Sequence, residues 1–178
     1  MTIFVTPDGL ASWSGPGGRT AGVRCAIGPG GVTIKTGEGD GVTPLGSFPL
    51  RRVFYRPDRV EKPLTGLPLV ALEENHGWCD EPTHAAYNTL ISRPFPASHE
   101  TLWREDGVYD VIVELGYNDD PVIAGHGSAI FIHIAHPDYR PTQGCVALAK
   151  ADLLDLLAGC KDGDMLVIGG QKKWAGFG

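Results

Sequence analysis

The sequence predicts a mostly β fold with a single helix. The chain has 178 residues, the size of one ordinary domain that buries its own core without disulfides or metals. Its 25 glycines and 14 prolines are scattered between short apolar runs, a pattern typical of strands joined by tight turns. We therefore expect one domain over residues 1–170, followed by a loose C-terminal tail over residues 171–178.

The first third of the chain indicates a meander of short strands. Turn sequences rich in Gly and Pro separate β-prone segments, and a Thr-Pro-Leu-Gly turn then leads into a further strand. The predicted segments are Ile3–Val5, Gly22–Ile27, Val32–Thr36 and Phe48–Val53.

The second half predicts the central strand and the helix. Tyr109–Leu115 alternates as a strand does, and Ala129–Ala135 places three isoleucines on one face and His133 on the other. Leucines at helical spacing predict a helix over Lys150–Ala158 that ends at Gly159, and Asp164–Gly169 predicts a last strand.

The stretch between Tyr55 and Arg104 shows no clear periodicity. It contains two Trp, three His and six Pro after Tyr55. A long irregular stretch in a compact domain is more often a functional lid or substrate wall than an idle loop. We therefore expect it to cover one side of a binding cleft.

Charge and hydropathy exclude two classes of partner. A net charge of -6 and a pI near 5.4 do not favour nucleic-acid binding, and no apolar run approaches the length of a membrane span. The four widely spaced cysteines indicate reduced thiols. The first residues lack the features of a signal peptide, so we expect a cytoplasmic protein, with the periplasm or cell envelope as the alternative.

The chemistry points to Cys145. This thiol follows Gly144 in a turn just before an apolar pair and the predicted helix, and histidines precede it closely. A catalytic thiol needs an imidazole to take its proton and backbone N–H groups to hold the developing oxyanion. A Gly-Cys turn after a strand that ends near a histidine supplies these groups.

Two separate motifs resemble the catalytic domain of the L,D-transpeptidase (YkuD) family, in what looks like a compact bacterial branch. Thr142-Gln-Gly-Cys145-Val146 stands where that family has Ser/Thr-His-Gly-Cys and an apolar residue, and Thr43-Pro-Leu-Gly-Ser-Phe48 is similar to its Thr-Pro-x-Gly-x-Phe segment. The resemblance implies a β-sandwich or meander with one helix after a nucleophilic Cys145. Two positions depart from the family pattern: Gln143 replaces a His, and Ala147 stands where many members have Arg or Asn.

Two histidines are candidates for the general base. His126 fits the longer gap often seen in the family, since 15 residues separate it from Thr142. His133 lies at the end of a rigid strand, which holds a side chain in register, and we favour it. We expect His136, beside Pro137, to be a solvent-facing loop residue.

The resemblance also implies a substrate wall, oxyanion donors and no cofactor. We expect Trp78, Tyr87, Asn88 and Thr142 near the substrate, and the backbone N–H of Cys145 with that of Gly144 or Gln143 around the oxyanion. His76, Cys79 and His84, with Asp80, could suggest zinc, but their spacing matches no metal motif and we expect no metal. Ser98-His-Glu100 predicts a surface or lid role.

The implied substrate is a peptidoglycan stem peptide or muropeptide. Cys145 would attack the L,D bond of a tetrapeptide stem and form a thioester, and a carbapenem would acylate the same thiol. Water as acceptor makes an L,D-carboxypeptidase, the reading we favour. An amine acceptor makes a transpeptidase that cross-links, exchanges D-amino acids or anchors proteins, and a non-catalytic domain that binds wall peptide is the third alternative.

Overall fold

Fourteen strands and one helix make up the described part of the chain. The computed structural model describes residues 1–15 and 18–169, so the predicted tail over residues 171–178 lies outside the described residues. The strands are β1 Thr2–Val5, β2 Leu10–Trp13, β3 Val23–Ala26, β4 Val32–Thr33, β5 Thr43–Pro44, β6 Gly46–Tyr55, β7 Leu69–Ala71, β8 His76–Cys79, β9 Leu90–Ser92, β10 His99–Thr101, β11 Val111–Leu115, β12 Phe131–Ile134, β13 Val146–Leu148 and β14 Met165–Ile168, and the helix is α1 Lys150–Gly159.

The largest sheet closes on itself. Its strands follow the order β11-β12-β13-β3-β2-β1-β14-β6-β7, and β11 also pairs with β6. The long strand β6 makes this closure, because Gly46–Pro49 pairs with β14 while the remainder, from Leu50, pairs with β11. β12 and β13 are parallel neighbours, with His133 opposite Ala147. This pairing brings the start of β12, at Phe131, beside the turn that carries Cys145.

The main hydrophobic core packs between the sheet and α1. It includes Trp13, which is 1% exposed, and Ile132, and α1 contributes Leu153, Leu156 and Leu157. The helix ends at Gly159, and the following Cys160 has an extended backbone whose N–H donates to the carbonyl of Leu157. The mostly β prediction with one helix after Cys145 is confirmed.

A second hydrophobic cluster lies on the other face of β11 and β12. Ile112 and Phe131 belong to it, whereas Val113 and Ile132 belong to the main core, so the alternation predicted for β12 is confirmed. The second cluster also contains Cys145, Phe54 of β6 and three buried residues of the middle stretch, namely Leu72, Trp78 and Leu102.

The prediction of an irregular middle stretch was wrong in part. β8, β9 and β10 form a separate three-stranded sheet within it, and β7 joins the main sheet beside β6. These strands have only three or four residues, too few to show a period of two.

Among the described residues, no helix has the length and apolar character needed to cross a bilayer.

Candidate active site

A cavity of about 490 Å³ lies where β12, the turn before β13 and the middle stretch meet. One wall comes from the segment that ends in the predicted nucleophile. Further lining residues come from the middle stretch and from the loop after β4. The residues that line the cavity include Lys35, Glu38, Asp80, Glu100, Arg104, Tyr109, Ser128, His133, His136, Arg140, Thr142, Gln143, Cys145 and Ala147.

The turn before β13 depends on Gly144. Its φ is +126°, and a Cβ at this position would lie 2.6 Å from the carbonyl oxygen of Val42, far inside a normal contact. Only glycine therefore fits. Thr142 holds the turn from its other side, because its Oγ1 accepts from the N–H of Gly144 at 3.1 Å and donates to the carbonyl of Cys145 at 2.7 Å.

The thiol of Cys145 is oriented by backbone groups of the neighbouring segment. Its Sγ–H donates to the carbonyl of Ala129 at 3.2 Å, and Sγ accepts from the N–H of Phe131 at 3.4 Å. Cys145 is 7% exposed, so the sulfur is buried at the base of the cavity wall. Burial, with Glu100 adding negative charge, raises the pKa of Cys145 to about 12.

His133 lines the same cavity. It lies opposite Ala147 on the parallel strand β13, and Cys145 lies two residues before Ala147, so the strand period directs these side chains to one face. Its Nδ1 is 2.9 Å from the carbonyl of Ile134, which makes Nδ1–H the donor and leaves Nε2 as a proton acceptor. The ring of Tyr109 packs edge-on against the imidazole at 5.2 Å.

The electrostatics of the site leave both groups neutral at rest. Burial lowers the pKa of His133 to about 4, so the imidazole is uncharged at neutral pH. The raised pKa of Cys145 keeps its thiol protonated. A neutral imidazole that lines the same cavity as a neutral thiol suits general-base removal of the thiol proton more than it suits a resting thiolate.

His126 lies apart from this cavity. It is exposed, and its backbone carbonyl accepts a hydrogen bond from the hydroxyl of Tyr117. Within the described residues it does not line the cavity, whereas His133 does. His136 also lines the cavity and is half-buried, so the prediction of a solvent-facing loop residue is corrected.

The oxyanion donors differ from those expected in one respect. The N–H of Gly144 is directed to the hydroxyl of Thr142, which removes it from the set available to a substrate. In the described part of the chain, no intramolecular acceptor is seen for the N–H groups of Gln143 and Cys145. These two groups are the candidates that the turn leaves for an oxyanion.

Three of the four residues predicted to form a substrate wall lie behind the cavity lining. Trp78, Tyr87 and Asn88 are 3%, 3% and 7% exposed and do not line the cavity among the described residues. Asn88 Oδ1 accepts from Trp78 Nε1 at 2.9 Å and from the N–H of Ala129 at 3.0 Å. These residues therefore hold the segment that contacts Cys145, and the prediction that they face the substrate is corrected. Thr142 lines the cavity.

The middle stretch lines the cavity with charged residues that sequence reasoning missed. Asp80, Glu100 and Arg104 lie on this side, and Glu100 accepts a hydrogen bond from the hydroxyl of Tyr109 at 2.7 Å. Glu100 was seen in the sequence only as part of a Ser-His-Glu segment with a surface or lid role. No local spacing relates these residues to Cys145, because the pairing of β8 with β10 positions them.

The alternative zinc reading has no geometric support in residues 1–15 and 18–169. No group of three or more His, Cys, Asp or Glu side chains there is placed to hold a metal ion. Cys79 is fully buried, and His84 packs against the ring of Phe95.

Comparison with known proteins identifies the family. The model of the L,D-transpeptidase catalytic domain, YkuD, matches residues 3–168. Comparison with curated proteins and with solved structures yields no match. Since the match spans nearly the whole chain and contains the cavity described above, this chain belongs to the L,D-transpeptidase catalytic-domain (YkuD) family, whose cysteine-dependent members act on peptidoglycan peptides.

Proposed function

We propose that this protein is an L,D-carboxypeptidase that trims tetrapeptide stems of peptidoglycan fragments to tripeptides. The observation that carries the proposal is the shared face of β12 and β13, on which Cys145 and His133 line one cavity. Family membership supports the substrate class, and Cys145 and His133 in the cavity are the proposed nucleophile and base.

The reaction proceeds in two acyl transfers. Nε2 of His133 takes the proton of Cys145 as Sγ attacks the carbonyl carbon of the L-centre of the third residue. The N–H groups of Gln143 and Cys145 donate to the oxyanion. The C–N bond then breaks, the imidazolium protonates the leaving amine, and D-Ala departs from the thioester.

Water completes the cycle. His133 removes a proton from a water molecule that attacks the thioester carbonyl, and Sγ leaves with a proton. Two features favour water over a second peptide. The cavity of about 490 Å³ is covered on one side by the middle stretch, and Ala147, opposite His133, carries only a methyl group where many relatives have a polar side chain. A cavity covered on one side suits small muropeptides, and we propose a cytoplasmic role in their recycling, which cell fractionation would test.

One observation favours an amine acceptor as the second candidate function. Glu38, Asp80 and Glu100 line the cavity, and their negative charge would attract an ammonium group. A transpeptidase needs such an acceptor beside the thioester.

The deciding experiment offers the purified protein a disaccharide tetrapeptide, alone and with a large excess of a D-amino acid or a second stem peptide, and identifies products by mass. We expect the tripeptide and free D-Ala in both mixtures. Dominant exchange or dimer products would replace the proposal with transpeptidation. Binding without any reaction would leave a wall-peptide-binding domain.

A further inference from the structure

The three Lys and Arg side chains that line the cavity differ in their ion-pair partners. Lys35 is paired with Asp40, and Arg104 is paired with Asp106 and lies 3.7 Å from Glu100. Arg140 forms no ion pair with any carboxylate of the described residues. Its charge is therefore the one among these three that remains available to a ligand.

The guanidinium of Arg140 is held at the cavity wall. Its Nη2 donates to Nε2 of His136 at 2.8 Å, and both residues line the cavity. The neighbouring Asp138 accepts from the backbone N–H of Arg140 at 3.1 Å. A guanidinium has five N–H donors in a planar fork, so the bond to His136 leaves donors for a carboxylate.

Arg140 also lies on the nucleophile's side of the cavity. The chain runs from Arg140 through Pro141, Thr142 and Gln143 to the turn before Cys145, and all of these residues except Gly144 line the cavity. The acidic residues Glu38, Asp80 and Glu100 come from other segments. Their charge disfavours a substrate carboxylate near them, and Arg140 is the lining Lys or Arg that has no carboxylate partner among the described residues.

We propose that Arg140, positioned by His136, binds the free terminal carboxylate of the substrate, on the D-residue that Cys145 expels. This inference rests on the proposed function, because it assigns a subsite for the leaving group of that reaction. It makes the enzyme selective for stems that end in a free carboxylate. A stem whose fourth residue is amidated or extended lacks the charge that Arg140 recognises.

The test compares a tetrapeptide with its C-terminal amide and measures release of D-Ala or D-alaninamide by mass, a product common to water and amine acceptors. We expect the wild type to prefer the acid in kcat/KM by roughly 10- to 100-fold, as a charged hydrogen-bonded pair contributes. Arg140→Gln should lose this preference, because the change should lower kcat/KM for the acid substrate and leave that for the amide unchanged. Arg140→Lys should restore part of it. Lys62→Gln, the same charge change at an exposed residue outside the cavity, should leave both rates unchanged.

Two results would overturn the inference: equal rates for acid and amide in the wild type, or an equal loss on both substrates in Arg140→Gln. Failure of the proposed function has a different signature, because the wild type would then release no amine from either peptide. In that case the binding of acid and amide to Cys145→Ala, measured by calorimetry, decides the inference. Equal affinities would reject it. Weaker binding of the amide than of the acid would support it, provided that adding Arg140→Gln to Cys145→Ala abolishes this difference.

Discussion

At the scale of single residues, thiol acidity does not distinguish Cys145. Burial raises the pKa of Cys25, Cys145 and Cys160 to about 12 in each case. What separates Cys145 from the others is its place in the wall of the cavity that His133 also lines. A cavity shared with a base, not a preformed thiolate, is therefore the basis of its predicted reactivity.

We expect Cys145→Ala to abolish turnover while the protein stays folded. The change removes the nucleophile and only one sulfur atom of packing, at a cost of about 1 kcal/mol in the free energy of unfolding. Product analysis by mass and thermal unfolding measure the two effects. Cys25→Ala is the matched control, a buried cysteine outside the cavity, and it should keep activity. Residual turnover in Cys145→Ala beyond a trace would reject the mechanism.

The lowered pKa of His133 predicts activity that persists into acid. An ordinary imidazole has a pKa of 6.5 and is half protonated at pH 6.5, and a protonated ring cannot accept a proton. Because burial lowers the pKa of His133 to about 4, kcat/KM should be limited by this group only as the pH falls towards 4. The pH profile of kcat/KM checks this. A fall centred near pH 6.5 in the wild type, or one abolished by His126→Gln, would contradict the assignment of His133.

At the scale of elements, the turn between β12 and β13 is the point where backbone conformation decides the site. Gly144 combines a positive φ with a close approach to the backbone of Val42. The same residue allows Thr142 to bond both sides of the turn. Any side chain here must move either the turn or the loop that contains Val42.

We expect Gly144→Ala to destabilise the protein by on the order of 2–4 kcal/mol and to lower kcat/KM, because both the strained φ and the 2.6 Å contact must be relieved at the nucleophile. Denaturant unfolding and steady-state kinetics measure these effects. Gly163→Ala is the matched control. Its φ is +83°, but an added Cβ would meet nothing within 4 Å. This change should therefore lower the stability and leave kcat/KM unchanged. Full activity in Gly144→Ala would show that the turn tolerates a shift.

At the scale of the whole molecule, the two hydrophobic clusters have separate roles. The main core joins the closed sheet to α1, and the second cluster joins the sheet to the middle stretch and contains Cys145. The two clusters lie on opposite faces of β11 and β12. Stability should therefore depend on both, and the shape of the cavity chiefly on the second.

A matched pair of leucines tests this division. Leu102 in the second cluster and Leu156 in the main core are 0% and 1% exposed. Each change to Ala should cost about 2–5 kcal/mol in the free energy of unfolding, from lost burial and an unfilled cavity. At a temperature where both variants remain folded, only Leu102→Ala should reduce kcat/KM. Equal activity losses in the two variants would show that the clusters act as one core.

The sequence by itself determined the class of fold and the family, and it predicts Cys145 as the nucleophile. Glycine-rich turns, the alternation of Ala129–Ala135 and the leucine spacing of α1 are local patterns, so they predict local structure. The Thr142-Gln-Gly-Cys145 motif is likewise contiguous. Very short strands such as β13, and β8 to β10 in the middle stretch, have too few residues to show a period, and they were missed.

Only the tertiary structure decided which residues surround Cys145. The parallel pairing of β12 with β13 brings His133 into its cavity, and the sheet of β8, β9 and β10 carries Asp80 and Glu100 to the cavity while it buries Trp78. Arg140 stands close to Cys145 in sequence, yet its freedom from ion pairs follows from where the carboxylates of other segments lie. Strand pairing and charge pairing join segments far apart in the chain, and local periodicity carries no information about which distant segments will meet.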